Sequence, residues 1–375
     1  MADSLVFIDS LVASARERGY RVTVVTSPDE RLAAFGERLR VETVGVEMPR
    51  RVTPLGDWAA LARLHRLFRS LHPELVHAHT PKGGLLGTLA AASAGVPVRL
   101  YHVRGLPYVT LTGAMRAVLQ TTERLSCSAA THVLCQSESL RSAAVESRLA
   151  PPGKLEVVLR GSNGVDCDGR FSPVRHSDKR AALRAQWGIP DGEVVIAFVG
   201  RLVRDKGVPE LSQAFSSLAA RNDRCWLVLA GQWEPRDPVD AGTRFGLERH
   251  PRVRFTGFVE DTAGVYAAAD VVVLPSHREG FPNVPLEAAA MERAVVSTRV
   301  AGCTDAVEDG VTGTLVPAGD AEALAAALAR YAGQSALREA HGRAGRARVE
   351  RFFRRDQIAS ATVDVYDREL GQARR

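Results

Sequence analysis

Ser276-His277-Arg278-Glu279-Gly280-Phe281-Pro282-Asn283-Val284-Pro285-Leu286-Glu287 is the stretch around which this chain of 375 residues is organised. The apolar run Val271-Val272-Val273-Leu274 stops at Pro275 just before it, and the helix-forming segment Leu286-Glu287-Ala288-Ala289-Ala290-Met291 closes it. Two glutamates eight positions apart therefore sit where a strand ends and a helix begins. In open α/β sheets, ligands bind at the carboxyl ends of strands. The amides of Gly280 to Asn283 open the helix, and such N-termini attract phosphates. Glutamates in a first helical turn are also favoured by the helix dipole alone. Two carboxylates beside an anion-binding backbone nevertheless suit a ligand with both hydroxyls and phosphates, of which a nucleotide sugar is one.

Working outward, the second half of the chain repeats the strand signal at Val194–Val199, Cys225–Ala230, Val253–Thr256, Val295–Thr298 and Thr314–Val316, with helices between. The first half has its own series. Ser4 to Arg18 has helical spacing and stops at Gly19; Val22–Val25 and Val41–Val46 read as strands; Trp58 to Leu71 is an amphipathic helix. The strand Leu75-Val76-His77-Ala78-His79 runs into Thr80-Pro81-Lys82-Gly83-Gly84, and the strand Val98–Val103 into Arg104-Gly105-Leu106-Pro107. A helix from Gly113 to Ala129 and the strand His132–Cys135 follow. Strands alternating with helices predict an α/β chain with parallel, doubly wound sheets. The length asks for two domains, and the polar loop from Asn163 to Pro173 places them at 1–173 and 174–354. Residues 355–375 form a helical tail that returns to the first domain.

Hydrophobic and charged contents of 45% and 25% are ordinary globular values. No apolar run is long enough to span a membrane, and no basic region followed by an apolar core marks a secretion signal. Five cysteines (Cys127, Cys135, Cys167, Cys225, Cys303) with no C-x-x-C pair fit free thiols in a reducing, cytoplasmic setting. The net charge of +6 is uneven: residues 1–173 carry 21 Lys and Arg against 16 Asp and Glu, the remainder 28 against 27. A basic first half suits an anionic partner such as a membrane surface or a lipid diphosphate. The excess of arginine over lysine throughout gives a compositional explanation equal weight.

Gly200-Arg201-Leu202 with Lys206-Gly207, the Glu279-x7-Glu287 stretch, and Asn163-Gly164-Val165-Asp166 before Phe171-Ser172-Pro173 together resemble a retaining GT-B glycosyltransferase of the group-1 family. The segments His77–Gly84 and Arg104–Pro107 resemble its capsular and lipopolysaccharide-type branch. The resemblance covers nearly the whole chain. It implies two Rossmann-like domains whose parallel sheets face each other across a cleft. Members begin with a strand, lying inside the first sheet, and a glycine-rich loop before the helix at Ser4; this chain starts at that helix.

The resemblance also implies roles. Arg201, Lys206 and the Gly280, Phe281 and Asn283 backbone meet the donor diphosphate, where guanidinium and ammonium groups suit phosphate oxygens. Glu287 binds the ribose hydroxyls, Glu279 faces the donor sugar or its departing diphosphate, and the Gly302-Cys303-Thr304 loop offers further amides. His79 serves catalysis from the first domain, with Lys82 and Arg104 on the acceptor side. His77 and His79 look like the start of a metal site, yet two histidines with no third ligand nearby are poor evidence. Asp166-Cys167-Asp168 copies a metal-binding D-x-D pattern by coincidence. No metal and no cofactor are expected.

The expected reaction moves a hexose or N-acetylhexosamine from a UDP-sugar to a glycan or polyprenyl-diphosphate-linked acceptor. The expected partners are that donor, that acceptor and an anionic membrane at its cytoplasmic face, with no nucleic acid. A GT-B sugar-nucleotide epimerase and a catalytically inactive sugar-nucleotide-binding protein are the alternatives.

Overall fold

A computed structural model describes residues 5, 7–49 and 53–375. Ser4, where the first helix was expected to start, lies outside them. The chain divides into two compact units, Met1–Gly164 with Arg355–Arg375, and Val165–Arg354. The division falls nine residues earlier than the expected boundary at 173 because the Asp166–Ser172 loop packs within the second unit. The Phe171 ring lies 6.1 Å from Tyr266, and Arg170 donates to the Glu260 carbonyl at 2.6 Å.

The first unit contains strands β1 (Thr23–Thr26), β2 (Glu42–Gly45), β3 (Leu75–His79), β4 (Val98–Val103), β5 (His132–Cys135) and β6 (Leu155–Glu156). Its helices are α1 (Asp9–Glu17), α2 (Glu30–Leu39), α3 (Pro54–Leu71), α4 (Pro81–Ser93), α5 (Gly113–Ala129) and α6 (Glu138–Glu146). Among the described residues these strands form two parallel sheets, β1-β2 and β3-β4-β5-β6. Side chains, not hydrogen bonds, join the two: Val25, Val44 and Val76 pack on one cluster built from Leu64, Phe68, Leu86 and Ala90 of α3 and α4. The register of β3 on β4 sets His79 opposite His102.

The second unit carries β7 (Val194–Val199), β8 (Cys225–Ala230), β9 (Val253–Gly257), β10 (Val271–Leu274), β11 (Ala294–Thr298) and β12 (Gly313–Val316) in one parallel sheet of order β12-β11-β10-β7-β8-β9. The helices are α7 (Lys179–Gln186), α8 (Val208–Arg221), α9 (Ala241–Arg249), α10 (Ala263–Ala268), α11 (Asn283–Ala290), α12 (Cys303–Ala306), α13 (Ala321–Gly333) and α14 (Ser335–Phe352). This is the Rossmann strand order, and its direction reverses between β7 and β10, where such sheets place their ligands. β10 is wholly buried, which explains its unbroken apolar run, since helices cover both faces of a parallel sheet. Each such valine or leucine contributes about 1.5–3 kcal/mol by leaving water. Asp270, at the start of β10, accepts from Arg180 and Arg184 at 2.6 Å each and from the Val195 amide at 2.7 Å. Burial alone would raise its pKa; the two guanidiniums hold it below the ordinary value and tie α7 to the sheet.

A last helix, α15 (Arg355–Ala373), belongs to the first unit. Val363, Tyr366 and Leu370 pack with Ala15, Val98 and Leu100, while Arg18 pairs with Asp364 at 2.5 Å and Asp367 at 3.0 Å.

Candidate active site

In the second unit the site is built at the switch point. Beyond β7 the chain passes Gly200 and Arg201, makes a short turn at Arg204–Lys206, and starts α8 after Gly207. Gly207 has φ +71°, and a Cβ there would stand 2.0 Å from the Pro275 carbonyl oxygen, so only glycine lets this turn lie against the end of β10. Lys206 reaches over and pairs with Glu279. Ser276 donates to the same carboxylate oxygen at 2.7 Å. The pair is largely covered, with side chains 19% and 11% exposed. Asp205 and Glu210 hold the loop from the other side: Arg278 pairs with Asp205 at 2.9 Å, the His277 amide donates to the Asp205 carbonyl at 2.9 Å, and His277 Nε2 meets Glu210 at 3.1 Å.

Arg201 pairs with Glu234 at 2.7 Å while its side chain stays 56% exposed. Leu202 and Trp233 form a parallel bridge just beyond β7 and β8, which brings the two charges together. Glu287, on α11, accepts from the Tyr266 hydroxyl at 2.8 Å. Arg201, Lys206, Glu279, Gly280, Phe281, Asn283 and Glu287 all lie on the two segments that leave β7 and β10. Gly302 presses on the same loop: with φ +78°, its Cβ would come 2.4 Å from the Gly280 carbonyl oxygen. The amides of Cys303 and Thr304, expected to face the donor, both donate to Val300 O at 3.1 and 3.2 Å. They close the turn that starts α12.

The first unit places His79 and Arg104 at the carboxyl ends of β3 and β4. Arg104 Nε donates to His79 Nδ1 at 3.2 Å, and Nη1 donates to Asn163 Oδ1. Lys82, near the start of α4, is held by Asp57 at 2.7 Å; Thr53 also donates to that carboxylate. Sequence reasoning saw no third ligand beside His77 and His79, but His102 is there. Their ring centroids lie 4.0 to 5.6 Å apart, and one nitrogen of each lies within 4.8 Å of the others. His77 Nδ1 meets the Tyr366 hydroxyl at 2.6 Å. Among the described residues, buried His77 Nε2 and His102 Nδ1 have no hydrogen-bond partner. Burial, helped by the charge of Arg104, pushes His77 down to about 3 and holds His79 and His102 well below 6.5.

Three neutral imidazoles are the donor set a zinc-like ion takes. Arg104 opposes one. A divalent ion within about 7 Å of its guanidinium, at an effective dielectric near 20, would be repelled by on the order of 5 kcal/mol. Among the described residues, no carboxylate joins the cluster to offset this. The D-x-D loop is also engaged internally: Asp166 accepts from the Gly169 and Arg170 amides at 2.8 and 2.9 Å, and Asp168 pairs with Arg354.

Glu234, Ser276, Tyr266 and Asp57 were given no role by sequence reasoning. Ser276 alone had a signal, its place in the Pro275–Glu287 turn.

Two Rossmann-like α/β units built on parallel sheets, with an ion pair at the switch point of the second, are the elements of a GT-B fold. Comparison with known proteins agrees. The family described as "Glycosyl transferases group 1" matches residues 193–334, and "Glycosyl transferase 4-like domain" matches 6–161. The chain is 32% identical over 359 residues to the capsular polysaccharide biosynthesis glycosyltransferase CapM of Staphylococcus aureus, covering 96% of this chain and 92% of that one. It is 25% identical over 292 residues to the Escherichia coli UDP-Gal:alpha-D-GlcNAc-diphosphoundecaprenol alpha-1,3-galactosyltransferase, covering 77% and 74%. Among solved structures, Anabaena HepE in complex with UDP-glucose shares the fold, with a TM-score of 0.79 at 21% identity over 96% of this chain and 94% of that one. The chain belongs to the group-1 family of GT-B glycosyltransferases, in its capsular and lipopolysaccharide-type branch.

Proposed function

We propose that the chain is a retaining, metal-independent hexosyltransferase of cell-surface polysaccharide synthesis. It moves a hexose or N-acetylhexosamine from a UDP-sugar to a glycan or polyprenyl-diphosphate-linked acceptor. The observation that carries this reading is the Lys206–Glu279 pair at the switch point of the second unit. Lys206 and Arg201 supply the cations for a diphosphate, with the Gly280, Phe281 and Asn283 backbone at the start of α11. Glu287 takes the ribose hydroxyls, its carboxylate already oriented by Tyr266. The names of the two curated relatives and the ligand of HepE support a nucleotide-sugar donor and a glycan product. Glu279 and His79 face the sugar, and Lys82 and Arg104 serve the acceptor. The departing diphosphate oxygen takes the acceptor proton, so the protein contributes position and electrostatic stabilisation.

The first unit would meet the cytoplasmic face of an anionic membrane through the segment Tyr108–Leu125. No described helix is long and apolar enough to cross a membrane. Val109, Met115, Val118 and Leu125 are exposed while Tyr108 is buried, so the contact narrows to these residues with Arg116.

Calorimetry tests the donor site: Glu287→Ala and Arg201→Ala should weaken UDP binding, whereas His79→Ala should keep it and lose turnover. Unchanged UDP affinity in both of the first two variants would sink the assignment. Proton NMR of the product shows whether the anomeric configuration is retained, and turnover that survives EDTA supports metal independence. Failure to bind anionic liposomes at low salt would remove the membrane contact.

A further inference from the structure

An arginine side chain offers only donors, so the atom it bonds must accept. Arg104 Nε stands 3.2 Å from His79 Nδ1, and that nitrogen therefore presents a lone pair. A neutral imidazole carries one proton, which leaves it on Nε2. Arg104 is itself held, because Nη1 donates to Asn163 Oδ1. Asn163 precedes Gly164, whose φ of +73° turns the chain at that point. The ring of His77, centred 4.0 Å from that of His79, packs beside it.

We propose that Arg104 is a positioning residue that keeps the His79 proton on Nε2, so that His79 meets a substrate oxygen as a hydrogen-bond donor. The oxygen is a sugar hydroxyl or the oxygen of the bond that breaks. In this state His79 is neither a general base nor a metal ligand through Nε2, since that nitrogen has no lone pair to give. The same guanidinium that sets the tautomer repels a cation, so one residue closes the three-histidine cluster to metal in two ways. The donor role rests on the function proposed above; the tautomer rests on geometry alone.

Long-range proton–nitrogen spectra of protein labelled with 15N-histidine test this, with His79→Asn identifying the signal. The wild-type protein should show His79 protonated on Nε2. Arg104→Met, which keeps length but removes donor and charge, should shift His79 towards the other tautomer, and Arg104→Lys should restore the wild-type pattern. A wild-type His79 protonated on Nδ1 overturns the proposal whatever the variants do. So does an Arg104→Met spectrum identical to wild type. Calorimetry with zinc alone adds a second reading: the wild type should not bind at micromolar concentration, and Arg104→Met should gain binding at least tenfold. Tight zinc binding by the wild type overturns the lock. In turnover, Arg104→Met should lose at least tenfold in kcat at unchanged UDP affinity, with partial rescue by Arg104→Lys; unaltered kcat overturns the donor role. A wild-type protein that transfers no sugar at all would count against the proposed function while the spectra still judge the tautomer.

Discussion

The second unit meets charge with charge. Lys206 has Glu279, Arg201 has Glu234, Arg278 has Asp205, and Asp270 has two arginines. The first unit does the reverse at its polar centre: three imidazoles stay neutral, and Arg104 is held by a histidine and an amide with no carboxylate among the described residues of the cluster. Among the described residues the sheets differ too, one continuous over six strands and the other divided after two. Under the proposed function, a diphosphate site needs cations positioned before the ligand comes, and Glu279 would position Lys206 while competing with the ligand for it. A centre that offers neutral donors needs burial and fixed tautomers instead.

The comparison breaks most visibly at Asp270. Asp270→Ala leaves Arg184, buried at 4% exposure, without its carboxylate and with only the Ala268 and Glu193 carbonyls, and should cost roughly 3–5 kcal/mol in urea unfolding. The folded pKa of Asp270 is depressed, so its contribution is full above the unfolded value near 4 and lost as pH falls through the lower folded value. The variant should therefore flatten the acid limb of the stability curve. Lys206→Ala comes next. It removes the cation and leaves Glu279 covered and unpaired, and should weaken UDP binding about 100-fold, or about 3 kcal/mol, by calorimetry.

These ion pairs mark where sequence stopped being informative. The strands of the second unit were read to within a residue because their apolar runs are continuous and bounded. The expected switch-point residues fall on the segments after β7 and β10, since a motif names its own position. Their partners were not, because Glu234 is 33 residues from Arg201 and only the β7–β8 register joins them. His102 was hidden likewise: nothing in Val98–Val103 says that it will stand opposite His79 until β3 pairs with β4. Helices α2 and α6 went unread although their caps are local, Asp29 accepting from the Leu32 amide and Ser137 from that of Leu140.

Glu123 sharpens the contrast within the first unit. It is 2% exposed, accepts from the Tyr101 hydroxyl at 2.6 Å, and burial raises its pKa to about 7. A carboxyl with a raised folded pKa stabilises fully below its unfolded value near 4.5 and loses this as pH rises through 7. Stability should fall by roughly 2 kcal/mol between pH 5 and 7, and Glu123→Gln should remove most of that slope in thermal melts. A melt whose pH slope survives the substitution would assign it elsewhere. The smallest effect belongs to Arg201→Ala, where the side chain is half exposed: UDP affinity should drop about tenfold, or about 1.4 kcal/mol, and more at low salt than at high.

Tyr366 has a consequence for biosynthesis. Its hydroxyl is a partner of His77, and its helix covers Val98 and Leu100. Yet the whole of Val165–Arg354 is translated between the two parts of the first unit. At ~5–20 residues per second, the ribosome needs roughly 10–40 s to cross about 190 residues. For that interval the nascent first unit must wait with one apolar face uncovered and the histidine beneath it without its hydroxyl. The His77 end of β3 is thus sealed only after Val165–Arg354 has been made, and a chain stalled within that stretch would carry a first unit with this face open.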